Sequence, residues 1–227
     1  MQIDGAVHLA FSRRMMPAAD IASSIDFAAA VFRKLAECSA DRVINMSSQG
    51  VYGNTEEIRT EQTVPAPATQ YTMAKYAAEV LFFDILKDCP HHTCFRLDPV
   101  AQSQNVIKGL CKSAVAGKIT VNGGKQVFSF IDASDVPSAV AAMLQAEGEW
   151  DSIYNVGWNQ KRVTLAELVE KVADAAERRG LPRPEIVYEE SDTVLWAGMD
   201  SSRFTEKTGW VPQVDLDGML DHAFRNI

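Results

Sequence analysis

The sequence predicts an α/β fold, a parallel sheet covered by helices on both faces. Three observations carry that prediction. Short apolar runs alternate with longer runs whose apolar residues recur at helical spacing, the pattern of repeated strand–helix units. Boundary residues stand where the runs change: Pro17 before one helical run, Asp88-Cys89-Pro90 after another, Gly180 and Pro182 after a third. No internal repeat, low-complexity tract or long linker interrupts the 227 residues.

In chain order, residues 6–10 (AVHLA) are short and apolar and read as a buried strand. Residues 18–38 place Ile21, Ile25, Ala28, Ala29 and Phe32 on one stripe and read as a helix. Asp41 and Arg42 lead into a strand over residues 43–46. Residues 54–69, rich in Thr, Pro and acidic side chains, read as an exposed loop. A helix follows over 70–87, then a buried strand over 92–97 ending in Asp98-Pro99, then a helix over 105–116. Gly123-Gly124 reads as a hairpin turn before a strand over 126–131. Residues 135–145 are a helix rich in Ala and Val, and 154–156 a short strand. Thr164 with Glu167 three residues on is a capping-box signature for a helix that runs to Arg179. Residues 184–188 read as a strand, and two short helices follow near 201–208 and 216–224.

Composition narrows the function. A hydrophobic content of 47% over 227 residues suffices for one substantial core with a small lobe attached. The net charge is −8 and the pI about 5.0, with no Lys/Arg-rich run, so nucleic acid is not expected as a partner. The longest apolar runs, 27–32 and 139–144, fall far short of the roughly 20 residues that span a bilayer. The start carries Asp4 and no basic-then-apolar leader pattern. No membrane association and a cytoplasmic location are expected. Cys38, Cys89, Cys94 and Cys111 lack C-x-x-C spacing, which points to reduced thiols rather than a metal or disulfide framework. His91 and His92, adjacent on an extended segment, face opposite ways and make a poor metal clamp.

The chemistry concentrates between Ser47 and Lys75. An apolar strand runs into Ser47-Ser48-Gln49-Gly50-Val51-Tyr52-Gly53, and the helical run after the polar loop opens with Tyr71-Thr72-Met73-Ala74-Lys75. Helix positions i and i+4 share a face, so Tyr71 and Lys75 point the same way. A phenol with a pKa of about 10 is a poor base near neutral pH. A neighbouring cation stabilises the phenolate and brings that pKa toward the working range. Ser48 would hydrogen-bond the oxygen of an alcohol or carbonyl, Tyr71 would move its proton, and Lys75 would hold the phenolate and bind a ribose hydroxyl.

These motifs resemble the extended short-chain dehydrogenase/reductases, the NAD-dependent epimerase/dehydratase family, whose central block reads S-S-x-x-V-Y-G, then E, P and P, then Y-x-x-x-K. Glu61, Pro65 and Pro67 supply the middle members. The likeness continues in Asp4 to Ala10, in Phe95 to Val100, in Phe130 to Val136, in Tyr154-Asn155-Val156-Gly157, and in Asp200-Ser201-Ser202 followed by Gly209-Trp210 and Pro212. The resemblance implies an incomplete Rossmann-like parallel sheet flanked by helices, with a small C-terminal α/β substrate lobe. Residues 1–100, with 126–157 contributing, would form the dinucleotide-binding part, and 101–125 with 158–227 the lobe.

By that resemblance Ser48, Tyr71 and Lys75 take the catalytic positions. Ala10, Met46, Ser47, Pro99 and Val100, with Tyr71 and Lys75, would border a nicotinamide cofactor, NAD or NADP. Gln49, Gly50, Asp98, Asn105 and Phe128 would face a sugar-like substrate. The family's opening G-x-x-G-x-x-G turn, which cradles pyrophosphate at a helix N-terminus, has no counterpart in the sequence. The chain is therefore expected to begin at the family's fourth strand, to bind NAD(P) weakly or not at all, and to expose residues 6–10 as a sheet edge. A homo-oligomer is expected, through that edge or through the helices over 18–38 and 70–87. Phe128 stands where nucleotide-sugar members often carry an arginine for the diphosphate, and Arg203 is the candidate replacement. Two functions remain in view: an epimerase/dehydratase-type oxidoreductase, and a catalytically inactive, shortened relative that binds a ligand or protein partner.

Overall fold

The structure is a computed structural model that describes residues 3–12, 15–225 and 227. Its strands are β1 (Gly5–His8), β2 (Arg42–Met46), β3 (His91–Leu97), β4 (Lys118–Asn122), β5 (Val127–Phe128), β6 (Ile153–Val156), β7 (Val163–Thr164) and β8 (Glu185–Glu189). Its helices are α1 (Ala18–Glu37), α2 (Gln70–Ile85), α3 (Asn105–Val115), α4 (Asp135–Gln145), α5 (Leu165–Glu177), α6 (Ser202–Thr208) and α7 (Leu216–Phe224).

β1, β2, β3 and β6 form one parallel sheet in that spatial order. Successive strand residues face opposite sides, and the sequence fills both sides with apolar groups. Val43 and Cys94 turn toward Ala28 and Phe32 of α1 and Ala78 and Phe82 of α2. Ile44, Met46 and Phe95 turn toward Ala139 and Met143 of α4 and Phe204 of α6. Burial on both faces explains why β2 and β3 read as near-continuous apolar runs.

A separate core joins Ile107, Leu110 and Cys111 of α3, Ile119 and Val121 of β4, Leu168 and Val172 of α5, and Met219 and Leu220 of α7. The helix starts follow the sequence signals. The Thr164 hydroxyl accepts from the Glu167 amide at 3.2 Å, and the Glu167 carboxylate accepts from the Thr164 amide at 2.8 Å. The first turn of α2 is held the same way by Thr69 and Thr72.

Four expectations change. Gly123-Gly124 is not a hairpin turn, because β4 pairs in parallel with β8. Both glycines have positive φ, 89° and 125°, and the Gln126 side chain clamps the turn by bonding Gly124 N and Asn122 O, which turns the chain away from β4. The strand expected over 126–131 shortens to β5, which pairs antiparallel with β7, while Ile131 bridges Val100. β1 is half-buried rather than buried, since among the described residues it has a neighbour on one side only. The loop over 54–69 is not uniformly exposed: Arg59 is 2% exposed because its guanidinium binds carbonyls of the 196–198 segment.

Candidate functional site

Strand β2 delivers the serines. Ser47 N extends the ladder to Phe95 O at 2.7 Å. Ser48 is extended and caps a single 3-10 turn, Gln49–Tyr52, with its Oγ accepting from Gly50 N at 3.1 Å. Gly50 is required for the approach of that turn to α2, since a Cβ there would stand 2.7 Å from Thr72 Cγ2 and 3.4 Å from Ser48 Oγ. The turn that follows Ser48 thus packs through Gly50 against Thr72 in the first turn of α2, which also carries Tyr71. Because the Ser48 oxygen accepts the Gly50 amide, its own O–H remains to donate.

Lys75 sits one turn further along α2 and is 6% exposed. Its Nζ donates to Met46 O at 2.7 Å, lies 4.2 Å above the Phe11 ring and is 6.0 Å from the Tyr71 ring centroid. Phe11 and Tyr71 meet edge to face at 6.1 Å. Burial pulls the ammonium pKa from 10.5 to about 8, against the opposing pull of nearby Cys94 and Glu79. A partly desolvated cation on the same face as a phenol is an arrangement that eases phenolate formation.

A buried polar network underlies this face. Glu79, one turn beyond Lys75, takes both arms of Arg96, at 3.1 Å to Nε and 2.6 Å to Nη2, and also accepts from Ser47 Oγ. Arg96 lies 4.6 Å above the Tyr52 ring, and Tyr52 Oη donates to Asn155 Oδ1 at 2.7 Å. The backbone N–H of Asn155 donates to the Glu61 carboxylate at 2.9 Å. On β1, His8 Nδ1 meets Asn45 Oδ1 at 3.0 Å, and Asn45 Nδ2 donates to Cys94 Sγ at 3.3 Å. Burial lowers the His8 pKa and raises that of Cys94 well above its ordinary value. The sequence reading did not anticipate this network. Its signal was available, as Asn45 and Arg96 are polar residues inside apolar strands and Glu79 repeats the Tyr71–Lys75 spacing.

The other residues singled out in the sequence distribute as follows. Ala10 is exposed and borders a cavity of about 360 Å³ shared with Phe11, Ser12, Asp20, Ser24 and Phe27. Met46 offers its carbonyl to Lys75, while the Ser47 hydroxyl is turned inward to Glu79. Gln49 is buried, with Oε1 accepting from Gly198 N at 3.3 Å. Pro99 and Val100 are half-buried beyond β3. Asp98 is 2% exposed and joins the sheet to its surroundings, its Oδ2 accepting from Ser129 Oγ at 2.7 Å and Trp158 N at 3.0 Å. Burial pushes its pKa up to about 6. Phe128 stacks on Phe130 at 5.8 Å, and Asn105 is exposed at the start of α3. Tyr71 and Lys75 share one face of α2, the Ser48–Gly50 turn packs against Thr72 of the same helix, Gln49 bonds Gly198, and Asn105 lies at the surface. Arg203 faces Glu61 at 3.8 Å and Asp151 at 4.0 Å, so acidic partners already neighbour its charge.

A profile of the NAD dependent epimerase/dehydratase family matches residues 2–157. No curated protein sequence matches the chain. Among solved structures, MoeE5 in complex with UDP-glucuronic acid and NAD superposes with a TM-score of 0.83 at 22% identity, over 98% of this chain and 78% of that one. The UDP-glucose 4-epimerase of Thermotoga maritima, with UDP-glucose, gives 0.82 at 20% identity over 98% and 77%. The Bordetella bronchiseptica enzyme WbmG in complex with NAD gives 0.81 at 22% identity over 97% and 70%. At these identities the likeness is one of fold.

Proposed function

Because the chain belongs to the NAD dependent epimerase/dehydratase family, we propose that it is an NAD(P)-dependent oxidoreductase of the epimerase/dehydratase type acting on a sugar-like alcohol or ketone. The observation that carries this reading is the buried Lys75 ammonium, held on the Met46 carbonyl beside Tyr71 and close to the Ser48 turn. An ammonium has three N–H donors, and Met46 takes one of them. The residues present fit the nicotinamide-ribose end of such a cofactor, with Lys75 and Tyr71 holding a ribose hydroxyl and Ala10, Pro99 and Val100 bordering the ring. When bound, the nicotinamide supplies the hydride acceptor. The chain's own side chains do the rest: Ser48 Oγ orients the substrate oxygen, the Tyr71 phenolate takes its proton, and Lys75 holds the negative charge on that phenolate.

Enzymes of this fold have been solved with UDP-glucuronic acid and UDP-glucose, so a nucleotide-linked sugar is the first substrate class to assay. We read residues 101–125 and 158–227 as the lobe that holds it, and a homo-oligomer through the outer faces of α1 and α2 or the open edge of β1 accompanies this reading. The test is titration with NADH and NADPH followed by nicotinamide fluorescence, together with turnover assays. Weak but saturable binding is expected, with turnover abolished in Tyr71→Phe and Lys75→Ala. Absence of binding at millimolar concentrations of both cofactors removes the proposal. A second reading, a relative that holds a ligand or partner without turnover, predicts that negative result.

A further inference from the structure

The Lys75 ammonium has a contact that the proposed chemistry does not use. Its Nζ lies 4.2 Å from the centroid of the Phe11 ring, and that ring meets Tyr71 edge to face at 6.1 Å with an interplanar angle of 86°. A cation over an aromatic face within about 6 Å is attracted by the ring quadrupole, most strongly where water is excluded. Lys75 is 6% exposed, and Met46 O takes one of its N–H groups. The ring is thus part of the cover that keeps this ammonium dry. A hydroxyl held by Tyr71 and Lys75 together needs the place in which the ring touches both.

The surroundings allow the ring to leave. Residues 9–12 form neither helix nor strand, and Leu9 and Ala10 are exposed while Phe11 is half-buried. The stretch is fixed at both ends. β1 ends at His8, and Ser12 N donates to Ser24 Oγ at 3.0 Å while Ser12 Oγ donates to Asp20 O at 2.9 Å. Between these anchors Phe11 leans on the core shared by α1 and α2, and it also borders the cavity of about 360 Å³ lined by Ala10, Ser12, Met16, Ser24 and Phe27. An apolar cavity of roughly 150 Å³ accommodates benzene, so there is room for a phenyl ring turned off the ammonium. We propose that Phe11 is a gate on the Lys75 site: its ring caps the ammonium in the empty chain, and a ligand hydroxyl reaches Lys75 and Tyr71 only when the ring swings into the neighbouring cavity. The ligand class is the ribose-like diol of the nicotinamide reading above, on which this rests. Apparent affinity falls by the fraction of chains in which the ring stands aside.

The test has two arms. In protein without cofactor, reductive methylation of Lys75 by formaldehyde and cyanoborohydride is followed by peptide mass spectrometry. Phe11→Ala is expected to label Lys75 about tenfold faster than wild type, the change for a cap closed in about nine chains of ten. Lys118, on the exposed edge of β4, is expected to label equally in both. In the second arm, NADH titration followed by fluorescence is expected to give a Kd about tenfold lower in Phe11→Ala than in wild type. Phe11→Leu keeps an apolar side chain but offers no ring face to a cation, and it is expected to fall between in both arms. A Phe11 that only supports the core would instead weaken NADH binding in Phe11→Ala and leave Phe11→Leu like wild type, and that pattern overturns the proposal. An unchanged Lys75 labelling rate in the folded variants overturns it too. NADH binding by none of the three proteins removes the redox reading, and the labelling arm then decides the cap by itself. Should Phe11→Ala fail to fold, Phe11→Leu carries both arms.

Discussion

Replacing Lys75 with Met separates the stability of this fold from its chemistry. Burial lowers the Lys75 pKa from 10.5 to about 8. That fall corresponds to about 3 kcal/mol of penalty on the charged form. The folded chain sheds the proton before the unfolded chain does, so the unfolded state binds more protons between about pH 8 and 10.5, and wild-type stability gains with rising pH across that window. Below pH 8 the penalty is fully present. Methionine has similar length and no charge, so the substitution removes the penalty and loses the hydrogen bond to Met46 O, worth about 1 kcal/mol. The net expectation at pH 7 is a variant more stable by about 2 kcal/mol, with the advantage gone by about pH 10. Urea unfolding followed by circular dichroism at pH 7, 8.5 and 10 measures the difference between the two proteins, in which other titrating groups cancel. A difference that does not change with pH would refute the assignment of a desolvated ammonium to Lys75. Turnover of any substrate should be lost in the same variant, the expected opposition of stability and activity at a strained site.

Two further outcomes follow from buried charges elsewhere. Asp98 has its pKa raised from 3.8 to about 6 by burial, so the folded state binds more protons between those values and stability falls as pH rises through them. Asp98→Asn keeps an acceptor for Ser129 and Trp158, and it should stabilise by about 3 kcal/mol at pH 7 and not at all near pH 3.5; equal effects at both pH values would count against the reasoning. Glu79→Ala leaves Arg96, 2% exposed, without its carboxylate, and should destabilise by about 3–5 kcal/mol in urea unfolding, with much of the loss recovered in the Glu79→Ala/Arg96→Met double variant.

Local signals carried much of the architecture into the sequence. The boundaries of α4 and α7 coincide with the spans read from periodicity, and the Thr164/Glu167 box forms as its spacing implies. In the central sheet, the apolar runs behind β2, β3 and β6 were legible because parallel strands buried on both faces need no partner to reveal them. The strand β4 was missed. Its alternation, with Ile119 and Val121 inward, depends on α3 and α5, and its ladder partner β8 lies more than sixty residues away. A still longer separation in sequence hid the Arg59 contacts, which join the segment after the Ser48 turn to residues 196–198.

What the sequence alone determined is the alternation of strands and helices, and the shared helical face of Tyr71 and Lys75, because both follow from the period of the backbone. The tertiary structure decided which of those groups are dry and what each one touches. It set Lys75 on the Met46 carbonyl and under the Phe11 ring, and paired Glu79 with Arg96. Desolvation and long-range pairing depend on elements brought together from distant parts of the chain, and no local pattern encodes them.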